Sequence, residues 1–372
     1  MNDRLIGIFI PRDHYESVTK GIVSSSYHQF ELAATALGLS ICLFTENGFV
    51  NSKEVKILTR NGSNNSYSES TAYLPKVIYN RSSLRNKKTR EILNYFIENE
   101  SYVFNVTPIS NSKYYVNKLL EKESHIAMHL PQTSVGSKKN LQKLMDQFDC
   151  LFIKPCYSSI GKGIMYLERQ NKHGWYIYEK AANNNGWEKS QFTNLEKIRI
   201  ERLFQLRQFI IQEKIPLATY KSRPFDLRVI VQKNPTGHWT ITGIAAKLAP
   251  KNQLITNVGN GGEIGDLRRF LLGSNLSYSE VEQKVHILAI DVASSLEKAW
   301  PHIADLGLDI GITKEGKPYF IECNLRGNYG SFTKQKELLT LWKEIHHTPI
   351  AYAGYLLDKY NLKMMELNKQ DH

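Results

Sequence analysis

The chain has 372 residues, 41% hydrophobic and 23% charged. It reads as a soluble protein of two or three packed lobes, too long for one core and too apolar for a disordered chain. No run approaches the ~20 apolar residues that span a bilayer, which excludes an integral helical membrane protein. The formal charge of +12, from 48 Lys+Arg against 36 Asp+Glu, favours an anionic partner. Charge alone does not choose among nucleotide, acidic peptide, nucleic acid and membrane surface.

Leu5–Ile10 is a short apolar run before Pro11. It is too short for a secretory segment and reads as a first buried strand, so a cytoplasmic protein is expected. Tyr27–Leu37 has helical spacing and stops before Gly38, and Ile41–Phe44 is the next strand. This order predicts a βαβ unit and a parallel sheet. Arg60–Ser70, rich in Asn and Ser, reads as a loop, and Val77–Tyr79 as a further strand. The basic stretch Arg81–Arg90 reads as a solvated helix face, with an acceptor site for an acidic substrate as the sharper alternative.

Ser112–Glu123 is a predicted helix carrying Lys118. Strands follow at Leu151–Ile153, Ile164–Leu167, Trp175–Tyr178 and Phe209–Gln212, with a turn at Asn183–Gly186 and a helix over Thr193–Leu206. Asp226–Gln232 and Trp239–Lys247 flank Asn234-Pro235-Thr236-Gly237, a hairpin turn. A long helix over Ser279–Leu296 precedes a second hairpin, Leu308–Ile312 and Tyr319–Glu322. Cys42, Cys150, Cys156 and Cys323 contain no CxxC pair, which excludes a zinc ribbon or dithiol motif. His346-His347 has no third ligand and reads as surface, and the tail from Leu362 to His372 as frayed.

The last hairpin is the most informative piece. Glu322 and Asn324, two apart on one strand, present oxygens on one face, and the hairpin brings Asp309 alongside. Two carboxylates and an amide oxygen suit Mg²⁺, whose remaining positions go to water and phosphate. A second piece runs from Lys154 at a strand end through Ser158, Ser159, Gly161, Lys162 and Gly163. Its small residues let backbone N–H groups approach phosphate, although it is neither a P-loop nor a Rossmann fingerprint. A third, Gln212-Glu213-Lys214-Ile215, could serve as a hinge whose backbone reads an adenine edge with Ile215 on the ring. In the fourth, Asp226 and Arg228 share one face of an apolar strand and need partners: a polyphosphate or an internal ion pair. Lys247 adds a cation, and Asn257 opens the loop ending in Gly261-Gly262.

In this order, Lys118, Lys154 with its Gly-rich flap, Gln212-Glu213, Asp226-x-Arg228, Asn257…Gly261-Gly262 and Asp309…Glu322-x-Asn324 resemble the ATP-grasp superfamily. Gln212-Glu213 and Asp226-Leu227-Arg228-Val229 look like the ligases that extend ribosomal protein tails. Leu74–Arg81 and Tyr220–Arg228 resemble the YheC/YheD-like family, associated with the endospore coat of Bacillus-type bacteria. The resemblance implies an α+β ATP-grasp fold behind an N-terminal α/β pre-grasp domain. The expected boundaries are 1–108, a lid subdomain 109–213 and a metal-bearing subdomain 214–372. It implies an ADP-forming carboxylate–amine ligase that uses ATP and Mg²⁺ on an amino acid or peptide.

Under that resemblance Asp309, Glu322 and Asn324 hold the metal, and Arg228, Lys247 and Arg326 serve the reaction centre. Lys118, Lys154, Ser158, Ser159, Gly161, Lys162, Gly163, Gln212, Glu213, Lys214, Ile215, Asp226 and Asn257 bind nucleotide. The basic surface would suit an acidic acceptor, and spore coat proteins are implied partners. One departure stands out: Leu325-Arg326-Gly327-Asn328 follows Asn324 where many relatives have a Pro-Gly turn. It leaves the ligands intact and puts the usual acceptor in doubt. The competing readings are a coat protein that binds nucleotide without turnover, a small-molecule kinase and, least supported, a nucleic-acid binder.

Overall fold

The computed structural model describes residues 4–370 apart from 63–65, 85, 108–111, 158–161, 171–173, 181–185, 194–203, 205–207, 252–255, 257–260 and 326–328. Three six-stranded sheets organise the described residues.

The first sheet holds β1 (Leu5–Phe9), β2 (Ser40–Phe44), β3 (Glu54–Arg60), β4 (Tyr67–Tyr73), β5 (Val77–Asn80) and β6 (Tyr102–Phe104), in the order β4-β3-β2-β1-β5-β6. Its centre is parallel, β2 and β5 flanking β1. Helices α1 (Arg12–Thr19), α2 (Ser25–Ala36) and α3 (Lys87–Glu98) connect these strands. The Ser24 side chain caps α2, and Gly38, at φ 64°, follows its end. The expected loop at Arg60–Ser70 is corrected at its ends: Arg60 closes β3 and Tyr67–Ser70 belong to β4, which pairs antiparallel with β3, Arg60 opposite Tyr67. As an edge strand with mostly solvated side chains, β4 carries little apolar signal.

The second sheet contains β7 (Thr133–Val135), β8 (Cys150–Pro155), β9 (Met165–Arg169), β10 (Trp175–Lys180), β11 (Trp187–Phe192) and β12 (Phe209–Glu213), in the antiparallel order β11-β10-β9-β8-β12-β7. Before it come α4 (Lys113–Leu120) and α5 (Ser124–Ala127), and α6 (Lys138–Gln147) covers one face. Leu151, Ile153, Leu167, Ile177 and Ile211 pack under Leu141, Leu144 and Met145 of α6. Phe152, Lys154, Tyr166 and Gln212 alternate onto the opposite face. Most of the predicted turn at Asn183–Gly186 and of the helix over Thr193–Leu206 lies outside the described residues.

The third sheet holds β13 (Thr219–Tyr220), β14 (Arg223–Lys233), β15 (Trp239–Leu248), β16 (Glu263–Asp266), β17 (Asp305–Ile312) and β18 (Pro318–Asn324). Its order is β16-β15-β14-β17-β18, with β13 paired to β14. Between β16 and β17 run α7 (Leu267–Leu272) and α8 (Tyr278–Ala299). Leu227, Val229 and Val231 of β14 and Leu306, Leu308 and Ile310 of β17 pack with Val285, Leu288, Val292 and Leu296 of α8. Each such side chain contributes about 1.5–3 kcal/mol on burial. Period-two alternation therefore turns Asp226, Arg228, Asp305 and Asp309 to the other face.

Two expectations about the C-terminus are corrected. The tail is helical in α9 (Leu339–Gln370). His346 is fully buried, between Phe30, Tyr329 and Trp342, because α9 packs back on α2 and β5.

Candidate active site

The polar face of the third sheet gathers the predicted carboxylates. Register places Asp309 opposite both Glu322 and Arg228, and Asp226 opposite Lys247. Arg228 donates to Asp309 through Nε at 2.7 Å and Nη2 at 3.3 Å. Lys247 Nζ lies 3.1 Å from both Asp226 and Asp309. Arg228 and Asp226 share a face, yet each takes its ion pair from a neighbouring strand. Burial pushes the Asp226 carboxyl up to about 6 against the pull of Lys247. Burial works on Asp309 too, but Arg228 and Lys247 outweigh it and hold that carboxyl below its ordinary range. The Thr256 hydroxyl donates to Asp226.

The second sheet faces this cluster. Lys154 Nζ donates to Gln212 Oε1 at 2.6 Å, and Gln212 Nε2 to the Thr133 hydroxyl at 2.9 Å. Burial, then the charge of Lys113, lowers the Lys154 ammonium to about 8, opposed by Glu322, Asp226 and Asp309. Lys214 donates to the Tyr166 hydroxyl at 3.3 Å, and Ile215 is buried beyond it. The Glu213 and Lys214 amides are committed to the Gln132 and Cys150 carbonyls, so these two N–H groups are not available to a base.

Two predicted nucleotide residues lie apart from this cluster. Lys118 pairs with Glu121 at 2.5 Å on the exposed side of α4. Strand alternation turns Glu213 away from Gln212, and it lines a polar groove with Lys118, Lys143 and Tyr319. The lysine α4 does deliver is Lys113, 2.9 Å from Glu322. Its amide bonds the Cys156 carbonyl, which ties the start of α4 to the end of β8 and so to Lys154. The available signal for Lys113 was its place just after the N-cap Ser112. Gly163 sits at φ 71°, a left-handed conformation that favours glycine, and Lys162 is exposed. Ser158, Ser159, Gly161, Asn257 and Arg326 lie outside the described residues.

The donor set fits a hard cation. Asp309 and Glu322 oppose one another, and Asn324 adds an amide whose buried Nδ2 has no partner among the described residues. Lys113, Lys154, Arg228 and Lys247 surround three carboxylates, leaving one net positive charge for an anionic ligand.

A family model described as YheC/D like ATP-grasp matches residues 100–356. The endospore coat-associated protein YheD of Bacillus subtilis (strain 168) is 27% identical over 315 residues, 79% of this chain and 66% of that protein. The endospore coat-associated protein YheC of the same organism is 21% identical over 257 residues, 66% of this chain and 67% of that protein. The chain thus spans about two thirds of the length of these relatives. Among solved structures, the ATP-grasp ligase PsnB with a phosphomimetic variant of its minimal precursor, Mg and ADP has a TM-score of 0.53 at 13% identity, covering 95% of this chain and 98% of that one. D-cycloserine synthetase DcsG has a TM-score of 0.53 at 10% identity, covering 95% and 99%. At these identities the likeness concerns the fold, which is the ATP-grasp fold. With 100–356 matched, the chain belongs to the YheC/D-like ATP-grasp family.

Proposed function

We propose that this protein is an ADP-forming carboxylate–amine ligase acting on an amino acid or peptide. The observation that supports it is the meeting of Asp309, Glu322, Arg228 and Lys247 on one sheet face with Lys154 and Lys113 from outside that sheet. A substrate carboxylate attacks the γ-phosphorus of ATP, releasing ADP and forming an acyl phosphate. An amine then attacks the acyl carbon, phosphate leaves, and the nitrogen gives up a proton. Asp309, Glu322 and Asn324 would hold Mg²⁺, which when bound neutralises charge on the phosphates.

Lys154, Lys113, Arg228 and Lys247 supply fixed positive charge where phosphoryl oxygens gain negative charge. Lys154 is held in place by Gln212, which Thr133 anchors in turn, so little reorganisation accompanies its use. Gln212, Lys214 and Ile215 would border the space for the base, and we assign to Arg326 the binding of acyl phosphate or carboxylate. We place the protein among coat-associated proteins on the names of its relatives. Those same names favour a second reading, a coat protein that binds nucleotide without turnover.

The test is Mg²⁺-dependent ATP turnover with amino acids and acidic peptides, read by mass spectrometry, beside Glu322→Ala. ADP plus a product joined by loss of water, reduced about 10²–10³-fold in Glu322→Ala, is the expected result. ATP binding with no ADP formed on any substrate would instead support the second reading.

A further inference from the structure

The first sheet contains a crevice that the nucleotide site does not use. From β1 the chain moves to β2 on one side, and later returns to β5 on the other. This reversal of strand order opens a crevice at the carboxyl ends of the strands, where open α/β sheets bind ligands. A cavity of about 460 Å³ lies there. Asp13 and Glu16 follow β1 into it, Glu46 follows β2, and Ser82 and Thr89 follow β5.

Its charge runs against that of the whole chain, which is +12. Arg12 is bound to Glu16 at 2.7 Å. Asp13 and Glu46 then carry no cationic partner among the described residues. Carboxylates alone would not make a site. Ser82 and Thr89 also line the cavity, only 3% and 1% exposed, and no described residue hydrogen bonds to either hydroxyl. Such nearly buried hydroxyls, open only to the cavity, want a polar ligand. An ammonium group has three donors and a charge to share among two carboxylates and two hydroxyls.

We propose that this crevice anchors an ammonium group of a peptide substrate, either its amino terminus or a lysine side chain. An ammonium beside Asp13 and Glu46 is held protonated, so it serves as an anchor and not as the attacking amine. Arg81, the residue before Ser82, lies 3.4 Å from Asp305 of β17. Asp309 is four residues further along that strand, about 13 Å, the reach of roughly four extended residues. A substrate that runs from the crevice past Asp305 to Asp309 is therefore a peptide and not a single amino acid. The link to catalysis rests on the ligase reading, whereas ammonium binding does not.

The test offers the full-length protein a random pentapeptide pool, half of it amino-acetylated, and measures retained peptides by mass spectrometry. Free-amine peptides, and acetylated ones containing lysine, should be retained at least tenfold over acetylated lysine-free ones. Preference for the first class alone identifies the amino terminus as the source; preference for both admits the side chain. Asp13→Asn and Glu46→Gln should each erase most of the preference while the melting temperature is unchanged. Equal retention of all classes, no retention of any, or a preference that survives both substitutions would overturn the proposal. Ammonium-dependent retention with no ADP formed would leave the anchor standing and remove the ligase reading.

Discussion

Asp305 and Asp309 lie four residues apart on one face of β17, both buried, and each opposes a polar residue of β14. Around Asp305 stand the hydroxyls of Tyr79 and Tyr329, the Gln232 amide and the more distant Arg81. Aromatic rings close over it, and its donors come from the first sheet, the third sheet and the segment after Asn324. Asp309 instead meets Arg228 and Lys247, beside Glu322 and Lys113, and the side chain of Glu322 keeps 30% exposure. Two aspartates on the same strand face thus differ in the charge and access of their partners. A carboxylate saturated by mostly neutral donors ties layers together. One set among several cations, with a solvent-facing neighbour, is equipped to exchange partners with a ligand.

Breaking the closed end should have the largest effect. Asp305→Ala removes the acceptor of two tyrosine hydroxyls and the carboxylate that pairs with Arg81, and should cost about 3–5 kcal/mol in urea denaturation. Asp309→Asn keeps the size and part of the hydrogen bonding, so its stability loss should be clearly smaller. Equal losses for the two would erase the distinction.

The closed end also has a pH signature. Burial, with a smaller push from Arg81, lowers His346 from 6.5 to about 4, and its ring bonds the Trp342 carbonyl at 2.7 Å. The folded value lies below the unfolded one, so the unfolded chain protonates first as pH falls. Stability from this residue is complete above pH 6.5 and is lost between 6.5 and about 4, by roughly 3 kcal/mol. Denaturation midpoints across that range should fall more steeply for the native chain than for His346→Phe.

At the open end, Lys113→Ala should weaken Mg–ATP binding at least tenfold by calorimetry. Loss of the Glu322 pairing should leave stability nearly unaltered, because both groups keep contact with solvent. The smallest effect belongs to Lys118→Ala. Its exposed pair with Glu121 is worth about 0.3–0.5 kcal/mol, and nucleotide affinity should change less than twofold. If the two lysines exchanged these outcomes, the assignment of Lys113 to the site would fall.

Much of this face was legible in the chain itself. Alternation along Asp226–Gln232 and Leu308–Ile312 separated the polar from the packed side, because a strand has a period of two and its buried face must be apolar. The turn at Lys314–Lys317 set Asp309 beside Glu322, since a short hairpin leaves little choice of register. Lys154 and Gln212 were legible in the same way, as polar ends of apolar strands that pair directly.

The choice between Lys113 and Lys118 was not legible. Both lie on one short helix, and which side faces the site depends on how α4 packs against β18 and α8. Nor was the burial of His346 in a sequence that looks polar, because only the docking of α9 on α2 and β5 encloses it. Strand β4 carries little signal in the sequence because its stabilising partner is the backbone of β3, not its own side chains.

Local periodicity, turns and caps depend on neighbours in sequence, and so the chain by itself determined most of its strands, its two hairpins and the placing of Asp309 beside Glu322 and Asn324. Tertiary structure decided which cations meet that trio, which aspartate is sealed and where a second crevice opens. Those outcomes depend on contacts between residues more than two hundred positions apart, such as Tyr79 with Asp305, whose separation in sequence is 226.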